Sequence, residues 1–393
     1  MKGSDRVRVL ISCGEASGDL YAGALARELR AMDPDVAITG LGGDRLRDAG
    51  ATLVGDYRGL TVTGLAEALK VLPRSYAMYR RLVAAARAAR PDVFVAIDFP
   101  DFNFRLAGVM KRLGVPVVYY ISPQLWAWRS GRMRTMQRIA SHVLVIFPFE
   151  EPLYREAGVP VSFVGHPLLE LTGPAPSRGA FLAGIGLNAG AQTVALLPGS
   201  RPNEVRALLP TMVQAAARIV RARAGTQFVV ARAPHLEDAL FEPATRAAAP
   251  MAIVEGRADE VLASSDITIT ASGTATVQAA IHDCPMVIVY RLSPLSYRMG
   301  KPFVKVDTYG MVNLIAGRRI APELIQEDCT AERVTESALA LLTDPAEYAA
   351  AKQGLRDVRA RLGTPGASRR AAEAVLGIAR GATAPPRHEN ILR

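Results

Sequence analysis

The chain has little cysteine, little histidine and no long apolar run. Its 393 residues hold 3 cysteines and 5 histidines. Cys13, Cys284 and Cys329 are widely spaced and odd in number, which argues against a disulfide framework or a metal knuckle; they read as small buried or semi-buried residues in a reducing cytoplasm. His142, His166, His235, His282 and His388 include no His-x-x-x-His pair, so a zinc site is not expected. No apolar stretch reaches the roughly 18 to 20 residues of a membrane-spanning helix. Lys2, Asp5, Arg6 and Arg8 crowd the start before a strand-like run begins, a pattern unlike a signal peptide. Gly-x-Ser-x-Gly is absent, and the first Gly-rich turn has neither Gly-x-Gly-x-x-Gly spacing nor a P-loop lysine.

Half of the residues are hydrophobic, and the length suits two globular domains. Lys and Arg exceed Asp and Glu, 47 to 37, for a formal net charge of +10. Nucleic acid, an anionic membrane surface or a phosphorylated substrate would each suit that excess, which is densest at Arg129, Arg132, Arg134 and Arg138.

Short β-branched apolar runs alternate with helical periodicity. Val7–Cys13, Val36–Leu41, Val93–Ile97, Val117–Ile121 and Val143–Phe147 come first. A Pro/Gly-rich lapse through Gly165-His166-Pro167 and Thr172–Ser177 marks a domain boundary. The alternation resumes with Thr193–Leu197, Gln227–Ala231, Met251–Val254, Asp266–Thr270 and Pro285–Tyr290. Runs apolar at every position fit strands covered on both faces, so the expected fold class is α/β with parallel sheets. After Thr330 only helices are expected, near 331–342, 345–361 and 367–380. The domains expected are residues 1–170 and 185–345, with helices over 346–380 packing back on the N-terminal domain and a tail from 381 to 393.

In such sheets, chemistry gathers where strands end and helices begin. Leu197-Pro198-Gly199-Ser200-Arg201-Pro202-Asn203-Glu204 joins an apolar strand to a helix. Backbone N–H groups, the helix dipole and the Arg201 fork would favour an anion there, although an ordinary turn with a surface arginine explains the same residues. A second turn, Ser272-Gly273-Thr274, follows another apolar strand, and two such turns suit a diphosphate. Gly14-Glu15-Ala16-Ser17-Gly18-Asp19 carries two carboxylates, which would repel phosphate; sugar recognition or a general base is one reading and a helix cap the other. Asp98, directly after the strand Val93–Ile97, is placed to act as a general base, whereas Asp101 suits a cap. Trp126, Trp128 and Arg129 could grip a sugar face or an amphiphile, or staple the next helix. Asn313 lies in a Gly-punctuated loop that could meet a ligand held at Arg201.

Seven motifs in one order, from Gly14–Asp19 through Asp98–Asn103, Ser122-Pro123 with Trp126-Ala127-Trp128-Arg129, Gly165-His166-Pro167, Leu197–Arg201, Ser272–Ala275 and Asn313-Leu314 with Ala316-Gly317-Arg318, resemble the lipid-A-disaccharide synthase family over about residues 8 to 342. The resemblance implies a GT-B glycosyltransferase, two doubly wound Rossmann-like domains facing across a cleft. It implies inverting transfer of 2,3-diacylglucosamine from UDP to 2,3-diacylglucosamine 1-phosphate, giving a β-1,6-linked disaccharide phosphate and UDP, with no cofactor or metal. Asp98 would be the base, with Glu15 its rival. Ser200, Arg201, Glu204, Ser272, Gly273, Thr274, Gln278 and Asn313 would hold the UDP donor. Ser17, Asp19, Trp126, Trp128 and Arg129 would serve the acceptor. The basic surface would rest on the anionic cytoplasmic face of the inner membrane, with Leu60–Leu82 and the tryptophans as apolar contacts. Nucleic acid is not an expected partner, and a homodimer is the candidate assembly. Three positions depart from the family's usual residues: Gln278 for Glu, Tyr119 for His and Val312 for Pro. A UDP-sugar 2-epimerase on the same architecture is the main alternative, and a non-enzymatic basic binding protein the next.

Overall fold

Strands that are apolar at every position must be covered on both faces, and parallel sheets flanked by helices do this. A computed structural model, describing residues 6–60, 65–123, 125, 131–173, 176–292 and 308–381, contains two such sheets in two compact units. The described residues of the first unit run to Leu171 and resume at Leu362; those from Thr172 to Arg361 form the second.

The first sheet comprises β1 (Arg8–Cys13), β2 (Ala37–Gly42), β3 (Thr52–Asp56), β4 (Val93–Ile97), β5 (Val117–Tyr120), β6 (His142–Val145) and β7 (Val161–Phe163). All pairings are parallel, in the order β3-β2-β1-β4-β5-β6-β7. The second comprises β8 (Thr193–Leu197), β9 (Gln227–Arg232), β10 (Met251–Glu255), β11 (Ile267–Ala271), β12 (Met286–Tyr290) and β13 (Glu323–Ile325), also parallel, ordered β10-β9-β8-β11-β12-β13. Each sheet grows one way from its first strand and then returns to grow the other way. The reversals lie between β1 and β4 and between β8 and β11, and there the loops diverge to leave a crevice at the strands' carboxyl ends.

The two cores follow from the strand patterns. Leu10, Phe94, Tyr119 and Val143 meet Leu82, Leu106 and Met110 from the helices Leu65–Ala88 and Pro100–Arg112. Val194, Leu196, Phe228 and Ile269 meet Leu208, Met212 and Ile219 from Pro202–Ala222 and Val334 from Ala331–Thr343. Each such side chain, fully buried, contributes about 1.5–3 kcal/mol. The three cysteines are buried and free, as expected.

Two differences from expectation have simple causes. β3, β7 and β13 are edge strands with half-buried residues, so they lack the continuous apolar signature that marked the others. The C-terminal helices do not act as one block. Pro345–Arg361 packs on Thr274–Ile281, Met311–Ala316 and Ala331–Thr343 and stays with the second unit. Only Ala367–Ala379 joins the first, along the helix Ala16–Met32. Its entry is fixed by polar contacts: the Glu170 carboxylate accepts from the Gly366 and Ser368 N–H groups, and Arg370 donates to the Val164 carbonyl at 2.9 Å.

Candidate active site

Register places two expected site segments side by side. Cys13 pairs with Ile97, so Gly14-Glu15 and Asp98-Phe99 leave neighbouring strand ends at the first sheet's reversal point. Asp98 and Phe99 both have left-handed backbone, with φ of 43° and 51°. Such conformations are uncommon for residues with side chains and cost about 1–3 kcal/mol each. The surroundings hold them there. Asp98 donates its N–H to the Tyr120 and Ile121 carbonyls, and its carbonyl accepts from Asn103 and from the Tyr119 hydroxyl, both at 2.8 Å. The Phe99 ring lies over Gly14, where a Cβ would come within 2.2 Å of it, and stacks on Phe102 at 5.1 Å.

Two tyrosines border the Asp98 charge. Burial first, and that carboxylate second, push the hydroxyls of Tyr21 and Tyr119 well above the usual tyrosine range. Both stay protonated, and the Tyr119 hydroxyl serves as a donor. His166 packs edge-on against Tyr21 at 6.2 Å and near Phe147 at 5.3 Å. Burial lowers it to about 3, and its Nδ1 accepts from the Leu168 N–H at 3.2 Å, so it is a neutral packing residue.

The two carboxylates of the first Gly-rich turn have separate fates. Glu15 occupies the N-cap position of the helix Ala16–Met32 with extended backbone, half-buried, and its side chain makes no cap hydrogen bond; Ser17 is half-buried in the first turn. Asp19 is buried at 3% exposure and accepts from the N–H groups of Gly43, Arg45 and Leu46 at 2.6, 3.0 and 3.2 Å. It therefore caps the short helix Asp44–Asp48 after β2. Three of the roughly four acceptor sites of that carboxylate thus serve backbone N–H groups. Asp101 is exposed in the first turn of Pro100–Arg112 and pairs with Arg132.

In the second unit Leu197 pairs with Thr270, so Pro198–Arg201 and Ser272–Thr274 likewise leave adjacent strands at a reversal point. The first turn is closed by its own helix, as an acidic residue in the first turn allows. Glu204 folds back: its Oε2 accepts from the N–H groups of Ser200 and Arg201 at 3.2 and 3.3 Å, and its Oε1 pairs with Arg201 Nη1 at 3.0 Å. The donors expected to meet an anion already hold one belonging to the chain. Gly199, at φ 113°, makes this fold-back fit, since a Cβ there would stand 2.4 Å from Oε2. The second turn differs. The helix Thr274–Ile281 has no acidic residue in its first turn, its N-cap Gly273 has open space where a Cβ would stand, and Thr274 is exposed. Ser272 Oγ donates to the Tyr309 carbonyl at 3.1 Å, tying this turn to the next loop.

Asn313 is buried, and its amide donates to the Ala321 carbonyl and Glu323 Oε1 while its oxygen accepts from the Ile320 and Ala321 N–H groups, at 2.6–3.0 Å. All four of its hydrogen-bonding positions are used, so direct donor contact gives way to a loop-holding role. Glu323 also accepts from the Tyr309 and Gly310 N–H groups. Gln278 is half-buried and donates to Asp259 Oδ1 at 3.4 Å, beside His282 at 3.0 Å from the same oxygen. Val312 is fully buried. Trp126, Trp128 and Arg129 lie outside the described residues.

Sequence reading missed Asn103, Asp259 and Glu323 as members of these clusters. Asn103 stood inside a recognised motif, and its place five residues beyond a strand-end aspartate is a usable signal. Asp259 and Glu323 act through partners 10 to 23 residues away, for which no local pattern exists.

A family model described as lipid-A-disaccharide synthetase matches residues 9–377. A lipid-A-disaccharide synthase of Anaeromyxobacter dehalogenans is 44% identical over 375 residues, covering 95% of this chain and 98% of that protein. That of Myxococcus xanthus is 44% identical over 372 residues, covering 94% and 97%. Among solved structures, a putative UDP-N-acetylglucosamine 2-epimerase from Listeria monocytogenes superposes with TM-score 0.68 at 15% identity, covering 97% of this chain and 98% of that one. The calicheamicin glycosyltransferase CalG4 gives 0.59 at 16%, covering 95% and 99%. These distant likenesses bear on fold alone, which is the two-sheet architecture of GT-B glycosyltransferases. The sequence matches span nearly the whole length of chain and relatives, and the chain belongs to the lipid-A-disaccharide synthase family.

Proposed function

We propose that the protein condenses UDP-2,3-diacylglucosamine with 2,3-diacylglucosamine 1-phosphate. The acceptor 6-hydroxyl oxygen bonds to the donor's anomeric carbon with inversion, the bond from that carbon to UDP breaks, and the hydroxyl proton passes to Asp98. The observation that carries this reading is the placing of both candidate clusters at sheet reversal points, with acidic residues in the first unit and an arginine beside an open helix N-terminus in the second. The leaving diphosphate is stabilised by Arg201, Ser200 and the Ser272–Thr274 turn, in the manner of preorganised donors meeting developing charge. Glu204 acts as the resident anion that this diphosphate displaces. Glu15 and Ser17 attend the acceptor sugar. Gln278, braced by Asp259, reaches the ribose.

Contact with an anionic bilayer surface is supported by one exposed stretch of helix. Leu72 and Tyr76, one turn apart on Leu65–Ala88, are 52% and 62% exposed, and Arg74, Arg80 and Arg81 are exposed nearby. Among the described residues no helix is long and apolar enough to cross a membrane.

The test follows UDP release and product mass with both lipid substrates in detergent micelles, with no-acceptor and EDTA controls. Acceptor-dependent disaccharide phosphate is the expected result. A changed sugar without acceptor would replace this reading by epimerisation. Asp98→Asn is expected to lower turnover about 10²- to 10⁴-fold with UDP affinity retained; near-normal turnover would transfer the base role to Glu15.

A further inference from the structure

The left-handed backbone at Asp98 is restrained at one atom by two side chains that come from different elements. Its carbonyl oxygen accepts from Asn103 Nδ2, on the following helix, and from the Tyr119 hydroxyl, on β5, each at 2.8 Å. Asn103 also donates to the carbonyls of Ser12 at 3.1 Å and Ile97 at 3.3 Å and accepts the Ser12 hydroxyl at 2.7 Å. One amide thereby fastens the end of β1 to the end of β4, the two strands that carry Glu15 and Asp98. Asn103 and Tyr119 are both 0% exposed, so neither meets substrate.

We propose that Asn103 and Tyr119 are positioning residues for the transfer reaction, holding Asp98 in its left-handed conformation and so aiming its carboxylate. The inference rests on the reading of Asp98 as general base. The physical link is the direction of the Cα–Cβ bond. A return of φ from 43° to the extended region turns the rest of the residue by about 100° or more about N–Cα, which carries the carboxylate away from its present heading. Two neighbouring residues in this conformation, Asp98 and Phe99, favour that return, and the buried amide and phenol oppose it. Burial and the adjacent Asp98 charge keep the phenol protonated, which a donor to a carbonyl requires.

The experiment compares Tyr119→Phe, Asn103→Asp and Asp98→Asn, together with each of the first two combined with the third. Turnover is normalised to folded protein, KM is taken for the UDP-sugar, and thermal unfolding is followed in parallel. Tyr119→Phe removes one hydroxyl and keeps the ring, so it answers the question even where Asn103→Asp fails to fold. We expect kcat to fall about tenfold for Tyr119→Phe and about a hundredfold for Asn103→Asp, with KM within about twofold, as misplacement of a reacting group predicts. On the Asp98→Asn background neither change lowers the residual rate further. Wild-type kcat in folded Tyr119→Phe, with only Tm reduced, overturns the proposal, as does a loss that repeats in full on the Asp98→Asn background. Wild-type turnover in Asp98→Asn overturns the base reading instead.

Discussion

Glu204 occupies the donors at the head of the helix Pro202–Ala222, and replacing it by glutamine tests whether that place belongs to the substrate. Three interactions hold the carboxylate: two backbone N–H bonds at 3.2 and 3.3 Å and the Arg201 pair at 3.0 Å. The first two are long and weak. The third joins a one-third-exposed guanidinium to a carboxylate at 14% exposure, three residues apart on one helix, and contributes about 0.5–1 kcal/mol. A carboxylate in the first turn gains a further 0.3–1 kcal/mol or so from the helix dipole. A diphosphate that displaces Glu204 works against about 1–2 kcal/mol in all. Glutamine preserves the size and one acceptor but removes the charge, about half of that sum. Glu204→Gln should therefore bind UDP about 2- to 5-fold more tightly by titration calorimetry, at about 1.4 kcal/mol per decade, while losing about 0.5–1 kcal/mol of unfolding free energy. Unchanged or weaker UDP binding together with reduced stability would refute displacement and make Glu204 a brace that keeps Arg201 in place.

Asp19→Asn should cost about 2 kcal/mol in denaturant unfolding, because an amide faces one of three backbone N–H groups with another donor. Unchanged stability with lost turnover would return Asp19 to substrate binding. Acid sensitivity follows from His166, which burial lowers to about 3. Its folded form stays neutral where the unfolded chain takes up a proton, so stability is lost as pH falls from about 6.5 toward 3. At pH 4.5 the loss amounts to about 2–3 kcal/mol relative to pH 7.5, with His142, lowered in the same direction by burial, adding to it. His166→Gln should flatten the pH dependence of unfolding in this window, and an unaltered profile would assign the acid lability elsewhere.

The sequence alone determined the repeated strand and helix alternation, and the strand Val93–Ile97 and the strand Thr193–Leu197 to the residue; it put a domain boundary in the Pro/Gly-rich piece between residues 165 and 190, where the chain passes from the first unit to the second. Those features are local: a strand buried on both faces must be apolar at every position, and a chain leaving one domain must pass through residues that suit exposed turns. For the same reason it located the loops in which Glu15, Asp98, Arg201 and Ser272 lie. Tertiary structure decided what those loops are doing. Whether an acidic side chain faces a ligand or a backbone donor depends on which segments fold against it, and Asp19 meets residues 24 to 27 positions away while Glu204 turns back on its own helix. Asn313 reads as a ligand residue until the loop at Ile320-Ala321 closes over its amide. The left-handed backbone of Asp98 carries no local signature either, since its restraint comes from Asn103 on the following helix and Tyr119 one strand over. Composition and periodicity report burial, which is a sum over many neighbours; hydrogen-bond partnership is set by single pairs of atoms, and only the folded chain brings those together.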